Sequence, residues 1–195
     1  MSPRRIKTAS IVVGLALSVL ALISWTQPWF TLRLAGENSA THSITAGGDA
    51  AAPGLPALTL AALALIGALT LAGTFFRRVL GVLEVLIGLS IVLAAAVALA
   101  DPVTASAKLV TKATGVSGEA SVAALVATVG QTPWPWIAAT LGVLIAVLGV
   151  VLLAVGRRWP DSSRRFQSGA PVQDSSGGTA TDWDSLSGGT DPTSR

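Results

Sequence analysis

Four long apolar runs, separated by polar or small-residue stretches, divide the chain. They lie at about residues 9–29, 55–76, 79–100 and 134–155, and the third contains one charged residue, Glu84. A bilayer core about 30 Å thick requires about 20 apolar residues in a helix. The pattern therefore predicts an all-α membrane protein, a bundle of four transmembrane helices. The first run continues to Trp25 without a following Ala-x-Ala site, so we expect a retained helix and not a cleaved signal peptide.

The stretches between the runs predict the rest of the organisation. Residues 1–8 form a basic N-terminus, and residues 9–160 form the membrane domain, with outer loops at 31–54 and 101–133. The first loop is either a short β-hairpin or irregular. The sequence of the second loop predicts two short helices on the membrane surface, with breaks at Gly115 and Gly118. Phe76, Arg77 and Arg78 leave room for only a tight turn. The polar residues 161–195 predict a disordered tail.

Lysine and arginine residues cluster beside alternate ends of the runs. Nine of them fall on one side if all four runs cross, whereas the other side holds Arg33, Lys108 and Lys112. An excess of Lys and Arg marks the cytoplasmic side of a membrane. We therefore expect a multi-pass protein of the cytoplasmic (plasma) membrane with both termini in the cytoplasm. The residues expected to anchor the inner interface are Arg77, Arg78, Arg157, Arg158 and Trp159.

Composition excludes several functional classes. Only 12% of the residues are charged and the mean hydropathy is +0.67, whereas soluble domains carry about 25% charged residues. There is no Cys for thiolate chemistry, and the single His42 excludes a multi-histidine metal site. The net charge of +3 is explained by orientation in a membrane, so we expect no nucleic-acid binding. Catalytic motifs are missing from the sequence, so we expect no enzyme, no cofactor and no metal.

Glu84 is the first candidate functional residue, because an ionisable group inside a membrane span is costly to bury. Gly81 and Gly88 lie on the same helical face and allow another helix to approach. A carboxylate on that face could pass a proton or meet a cationic substrate. The alternative is structural. Glu84 lies only five residues from the predicted start of its span at Val79, where it could reach interfacial water or pair with Arg77 or Arg78.

Small residues and tryptophans give two further candidates. Gly142, Gly149 and Gly156 recur in the fourth run, and Gly67 lies in the second, which is typical of packing faces between membrane helices. Such faces predict a compact bundle, self-association or contact with another membrane protein. An outer aromatic cluster, formed if spans one and four are neighbours, could bind an apolar ligand or act as an ordinary aromatic belt; its members are Trp25, Trp29, Trp134 and Trp136.

Four segments together resemble a known family. They are the basic start with a first span ending in Trp25, the turn at residues 77–82, the Pro-Trp-Pro-Trp of residues 133–136, and residues 156–166, which read Gly-Arg-Arg-Trp-Pro-Asp-Ser-Ser-Arg-Arg-Phe. The chain resembles the actinobacterial tryptophan-associated (Trp-operon-region) conserved membrane proteins. Phe166 stands where that family usually has Tyr, and Ser162 where Met is common. The resemblance implies four spans and a gene setting beside tryptophan biosynthesis, and it implies no established activity.

Two functional hypotheses follow. The first is a non-enzymatic accessory or scaffolding protein of the cytoplasmic membrane, associated with tryptophan metabolism through the family resemblance. The second is a small oligomeric transporter or exporter of tryptophan or a related aromatic metabolite, which depends on Glu84 and the tryptophan cluster. Under both hypotheses the protein is embedded in the lipid bilayer, which is therefore an expected partner.

Overall fold

The fold is that of a computed structural model, which describes residues 3–35 and 43–155. Among these residues, three helices are long and apolar enough to cross a membrane, namely the first, fourth and seventh. In chain order the elements are α1 (Pro3–Trp25), β1 (Pro28–Leu34), β2 (Ser43–Gly47), α2 (Gly48–Ala51), α3 (Leu55–Leu69), α4 (Thr74–Ala100), α5 (Pro102–Thr114), α6 (Glu119–Leu125), β3 (Val126–Gln131) and α7 (Trp134–Val155).

Helix α3 is shorter than the span predicted at residues 55–76. It has 15 residues, which corresponds to a rise of about 22 Å against a bilayer core of about 30 Å. The tight turn predicted at the arginines is wrong, because the connection to α4 lies at residues 70–73 and Arg77 and Arg78 are in the first turns of α4. Gly73, a poor helix former, precedes α4. The Lys7 ammonium donates to the Thr70 carbonyl oxygen at 3.1 Å, which satisfies a backbone acceptor where α3 ends.

Helix α1 ends before the predicted boundary at residue 29. Its last residue is Trp25, and Pro28 opens strand β1. Proline has no N–H to donate to a continuing helix, so the apolar residues after it cannot extend α1. The aromatic pair Trp29-Phe30 therefore belongs to a strand and not to a membrane span.

A three-stranded antiparallel sheet corrects the all-α prediction. Its order is β2-β1-β3, with Thr31 opposite Thr45 on one side and opposite Gly130 on the other. The hairpin anticipated for the first loop is present as β1 and β2. The third strand comes from the second loop, which was expected to contain helices alone. Strand β3 follows α5 and α6 in the second loop and pairs with β1 at the first loop, so the two loops form one structure.

We call the end of the bundle where α1 ends and α7 begins the sheet end. Phe30 and Leu32 are fully buried there, together with Val110 of α5 and Val122 of α6. Ala95, Ala98 and Ala138, from the ends of α4 and α7, belong to the same core. The loops and the helix ends therefore share one hydrophobic core, and we call this unit the sheet-end domain.

Asp101 begins α5 and gives a testable prediction. Its Oδ1 accepts a hydrogen bond from the Thr104 backbone N–H at 3.0 Å, and this bond lowers the pKa of the Asp101 carboxyl. Because the folded-state pKa is lowered, the cap stabilises α5 fully when the pH is above the usual aspartate pKa of about 3.9. This contribution is lost as the pH falls through the lower folded-state pKa. The protection of the α5 amides against hydrogen exchange, measured relative to the intrinsic exchange rate at each pH, should fall in acid in the wild type. Asp101→Asn, which keeps the acceptor, should remove that dependence; an unchanged profile would contradict the assignment.

Candidate functional site

Helices α4 and α7 form the most extensive helix pair in the structure, and glycines bring their backbones together. A Cβ atom added to Gly88 would collide with the backbone nitrogen of Ala146 and would lie 2.6 Å from the carbonyl oxygen of Gly142. One added to Gly149 would lie 2.7 Å from the backbone nitrogen of Val85. These contacts place the Gly81–Gly88 face of α4 against α7.

Not every predicted glycine serves this packing. Within residues 3–35 and 43–155, no heavy atom lies within 4 Å of a Cβ built on Gly67 of α3, so this glycine mediates no helix contact there. Gly156 lies outside the described residues. The small-residue face that packs is therefore the one shared by α4 and α7.

Glu84 lies on this buried face of α4. It is 1% exposed, and neither of its carboxylate oxygens has a hydrogen-bond partner. The residues before and after it on the same face are Leu80 and Ile87. Leu80 packs against an apolar cluster from α3 and α7, and Ile87 packs against a separate cluster from α1, α4 and α7. Glu84 therefore sits between two hydrophobic layers of the bundle.

Glu84 lies farther from the start of its helix than expected. Because the helix begins at Thr74 and not at Val79, Glu84 follows its first residue by ten positions, a rise of about 15 Å. The predicted pairing of Glu84 with Arg77 or Arg78 does not occur, since both carboxylate oxygens lack a hydrogen-bond partner. The pairing with arginine that the structural alternative offered is therefore absent, whereas contact of Glu84 with interfacial water stays a prediction.

The two arginines at the start of α4 differ from each other. Arg77 is 2% exposed, whereas Arg78 is exposed. Arg77 is four residues before Gly81 and therefore lies on the same side of α4. That both arginines anchor the inner interface stays a prediction. The other predicted inner-interface anchors, Arg157, Arg158 and Trp159, fall outside the described residues.

Three of the four outer tryptophans meet in the sheet-end domain. Trp29 is completely buried and its Nε1–H donates to the Ser24 carbonyl oxygen at 2.9 Å. Trp25 and Trp134 pack around the same core. Trp136 is 61% exposed and lies apart from them.

The predicted adjacency of α1 and α7 is present in the structure. The Ser24 hydroxyl donates to the Trp134 carbonyl oxygen at 3.1 Å. The adjacency produces a hydrophobic core that contains Trp29, however, and not an open aromatic pocket.

A cleft on the sheet-end domain has no counterpart in the sequence predictions. It has a volume of about 320 Å³ and lies between α5 and α6; its lining is Thr104, Ala107, Lys108, Thr111, Gly118, Glu119 and Val122. The Thr104 hydroxyl donates to a Glu119 carboxylate oxygen at 3.3 Å. Helical spacing of Thr104, Lys108 and Thr111 was the available signal, and the contribution of Glu119 depends on how α6 folds back. The lining is mainly apolar, and it also includes the Lys108 ammonium, the Glu119 carboxylate and two threonine hydroxyls.

Metal chemistry finds no support in the described residues. Within residues 3–35 and 43–155, no group of three or more His, Asp or Glu side chains could hold a metal ion.

Comparison with known proteins identifies a family. A family model described as "Tryptophan-associated transmembrane protein" matches residues 11–193 of the chain. No curated protein and no solved structure matches it.

Proposed function

The chain belongs to the tryptophan-associated transmembrane protein family, and we propose that it is a non-enzymatic accessory protein of the cytoplasmic membrane linked to tryptophan metabolism. In this proposal α1, α3, α4 and α7 cross the membrane, both termini are cytoplasmic, and the sheet-end domain lies outside. The positions of Lys, Arg and the helix ends support this orientation. Lys7 and Thr70 are neighbours at one end of the bundle, and Ser24 and Trp134 are neighbours at the other.

The shared core of the sheet-end domain is the observation that carries this proposal. Trp29 and Phe30 from the first loop and Val110 from the second pack with Ala98 and Ala138 at the ends of α4 and α7. The helices therefore hold a folded surface at a defined position on the membrane. Presenting such a surface to a partner is what an accessory protein requires.

The cleft between α5 and α6 allows a direct test. Affinity purification in mild detergent should recover a specific partner with the wild-type chain and with Lys112→Glu, an exposed position of α5 outside the cleft lining. Recovery should fall several-fold with Lys108→Glu, which reverses the charge in the cleft. A chain that is always recovered alone and monomeric would refute the accessory role.

Transport of an aromatic metabolite is the second candidate function. The observation that favours it is the burial of Glu84 without a hydrogen-bond partner inside the bundle, because such carboxylates commonly mark substrate or proton pathways. Flux of tryptophan should be higher in vesicles containing the wild-type protein than in those containing Glu84→Gln. Equal flux in vesicles with and without the protein would exclude this function.

A further inference from the structure

We propose that Glu84 is a proton-binding site of the bundle, occupied as a neutral carboxylic acid. Its side chain is 1% exposed and neither oxygen accepts a hydrogen bond. An ionised carboxylate buried in this way loses its hydration without compensation, and the cost is far greater than for a neutral group. Taking up one proton removes the charge and leaves only an ordinary polar group to bury.

The packed helices supply few charges that could stabilise the ionised form instead. Helices α3 and α7 contain no ionisable side chain. In α1 the basic residues lie at the start, and the Lys7 ammonium donates to Thr70. On α4, Arg77 is two turns before Glu84, about 10 Å along the axis, and Arg78 is exposed.

The two fully buried hydroxyls of α1 and α3 that follow bond within their own helices. Ser18 of α1 donates to the Gly14 carbonyl oxygen at 2.9 Å, and Thr59 of α3 donates to the Pro56 carbonyl oxygen at 2.9 Å. Each bond is internal to the helix that carries the hydroxyl.

A proton suits this site better than a metal cation does. Cations such as Ca²⁺ need six to eight oxygen ligands and Mg²⁺ needs about six, whereas Glu84 is the sole carboxylate within α1, α3, α4 and α7. Close contact of the α4 and α7 backbones at Gly88 leaves little room for a hydrated ion on this face. The assignment depends on burial and packing, and it holds whether the protein is an accessory protein or a transporter.

Carbodiimide labelling tests the site in the full-length protein in native membranes. A protonated carboxylic acid adds across one C=N bond of dicyclohexylcarbodiimide, and the O-acylisourea formed rearranges to a stable N-acylurea without loss of atoms. An ionised carboxylate does not react in this way. The hydrophobic reagent reaches groups inside the bilayer, whereas a water-soluble carbodiimide reaches only exposed ones, so the two reagents separate a buried acid from a hydrated carboxylate.

We expect peptide mass spectrometry to find one added carbodiimide on Glu84 with the hydrophobic reagent and none with the water-soluble one. Labelling of that peptide should fall to background in Glu84→Gln and stay unchanged in Glu119→Gln, which alters an exposed carboxylate of the sheet-end domain. Mapping the label on the wild-type chain keeps the test independent of how the variant folds. An unmodified Glu84, or equal labelling by the two reagents, would overturn the proposal.

Discussion

Replacing Gly88 with alanine should lower the free energy of unfolding by about 3 kcal/mol, the upper end of the cost of overpacking a well-packed core. The added methyl group would collide with the backbone nitrogen of Ala146 and lie 2.6 Å from the carbonyl oxygen of Gly142. Backbone atoms cannot rotate away as a side chain can, so α4 and α7 must separate. An unfolding titration in mixed detergent micelles measures the change.

Gly67→Ala is the matched control. It makes the same substitution in an apolar helix at a position where the new Cβ has no neighbour within 4 Å. Alanine has a higher helix propensity than glycine, by about 1 kcal/mol, so this variant should be neutral or slightly more stable. Equal losses in both variants would show that α4 and α7 do not meet at Gly88.

Trp29→Ala should destabilise the sheet-end domain by about 3–5 kcal/mol, the usual cost of truncating a buried aromatic side chain. Trp29 is completely buried, packs edge-on against Phe30 and donates from Nε1 to the Ser24 carbonyl oxygen. Its removal leaves both a cavity and a buried acceptor without its donor. Hydrogen exchange of the β1 and β3 amides should increase strongly, because both strands pack around this core.

Trp136→Ala provides the comparison for Trp29. The Trp136 side chain is 61% exposed on the surface of the bundle, so its truncation leaves no cavity in the sheet-end core. Exchange of the strand amides should remain as in the wild type. If the two variants behaved alike, the burial of Trp29 would be wrong.

The sequence predicts local periodicity well. Helical spacing alone placed Gly81, Glu84 and Gly88 on one face, and the structure shows that face against α7. It did not place the start of α4 correctly, because the polar pair Arg77-Arg78 was assigned to a turn, whereas α4 includes both residues. The burial of Arg77 could not be anticipated either, since no local pattern separates a buried arginine from the exposed Arg78 beside it.

The sheet shows where sequence reasoning failed. Strand β1 pairs with β3 through residues such as Thr31 and Gly130, about 100 positions apart, and no local pattern records that pairing. Trp29 follows an apolar run, as an interfacial anchor would, so the pattern did not separate the anchor from a core residue. The cleft at Lys108 and Glu119 depends in the same way on the packing of two short helices.

The proposed membrane arrangement is tested most directly by cysteine labelling, for which the natural chain, with no cysteine, is a suitable background. Four exposed positions suit single cysteines. Arg5 is in the first turn of α1, Asp49 precedes α3, Arg78 is near the start of α4, and Lys112 lies on α5, which follows α4. A membrane-impermeant maleimide applied to intact cells should label Asp49→Cys and Lys112→Cys, and should label Arg5→Cys and Arg78→Cys only after permeabilisation. Labelling of Asp49→Cys and Arg78→Cys from the same side would contradict the crossing by α3, and the reverse pattern at all four positions would contradict the orientation.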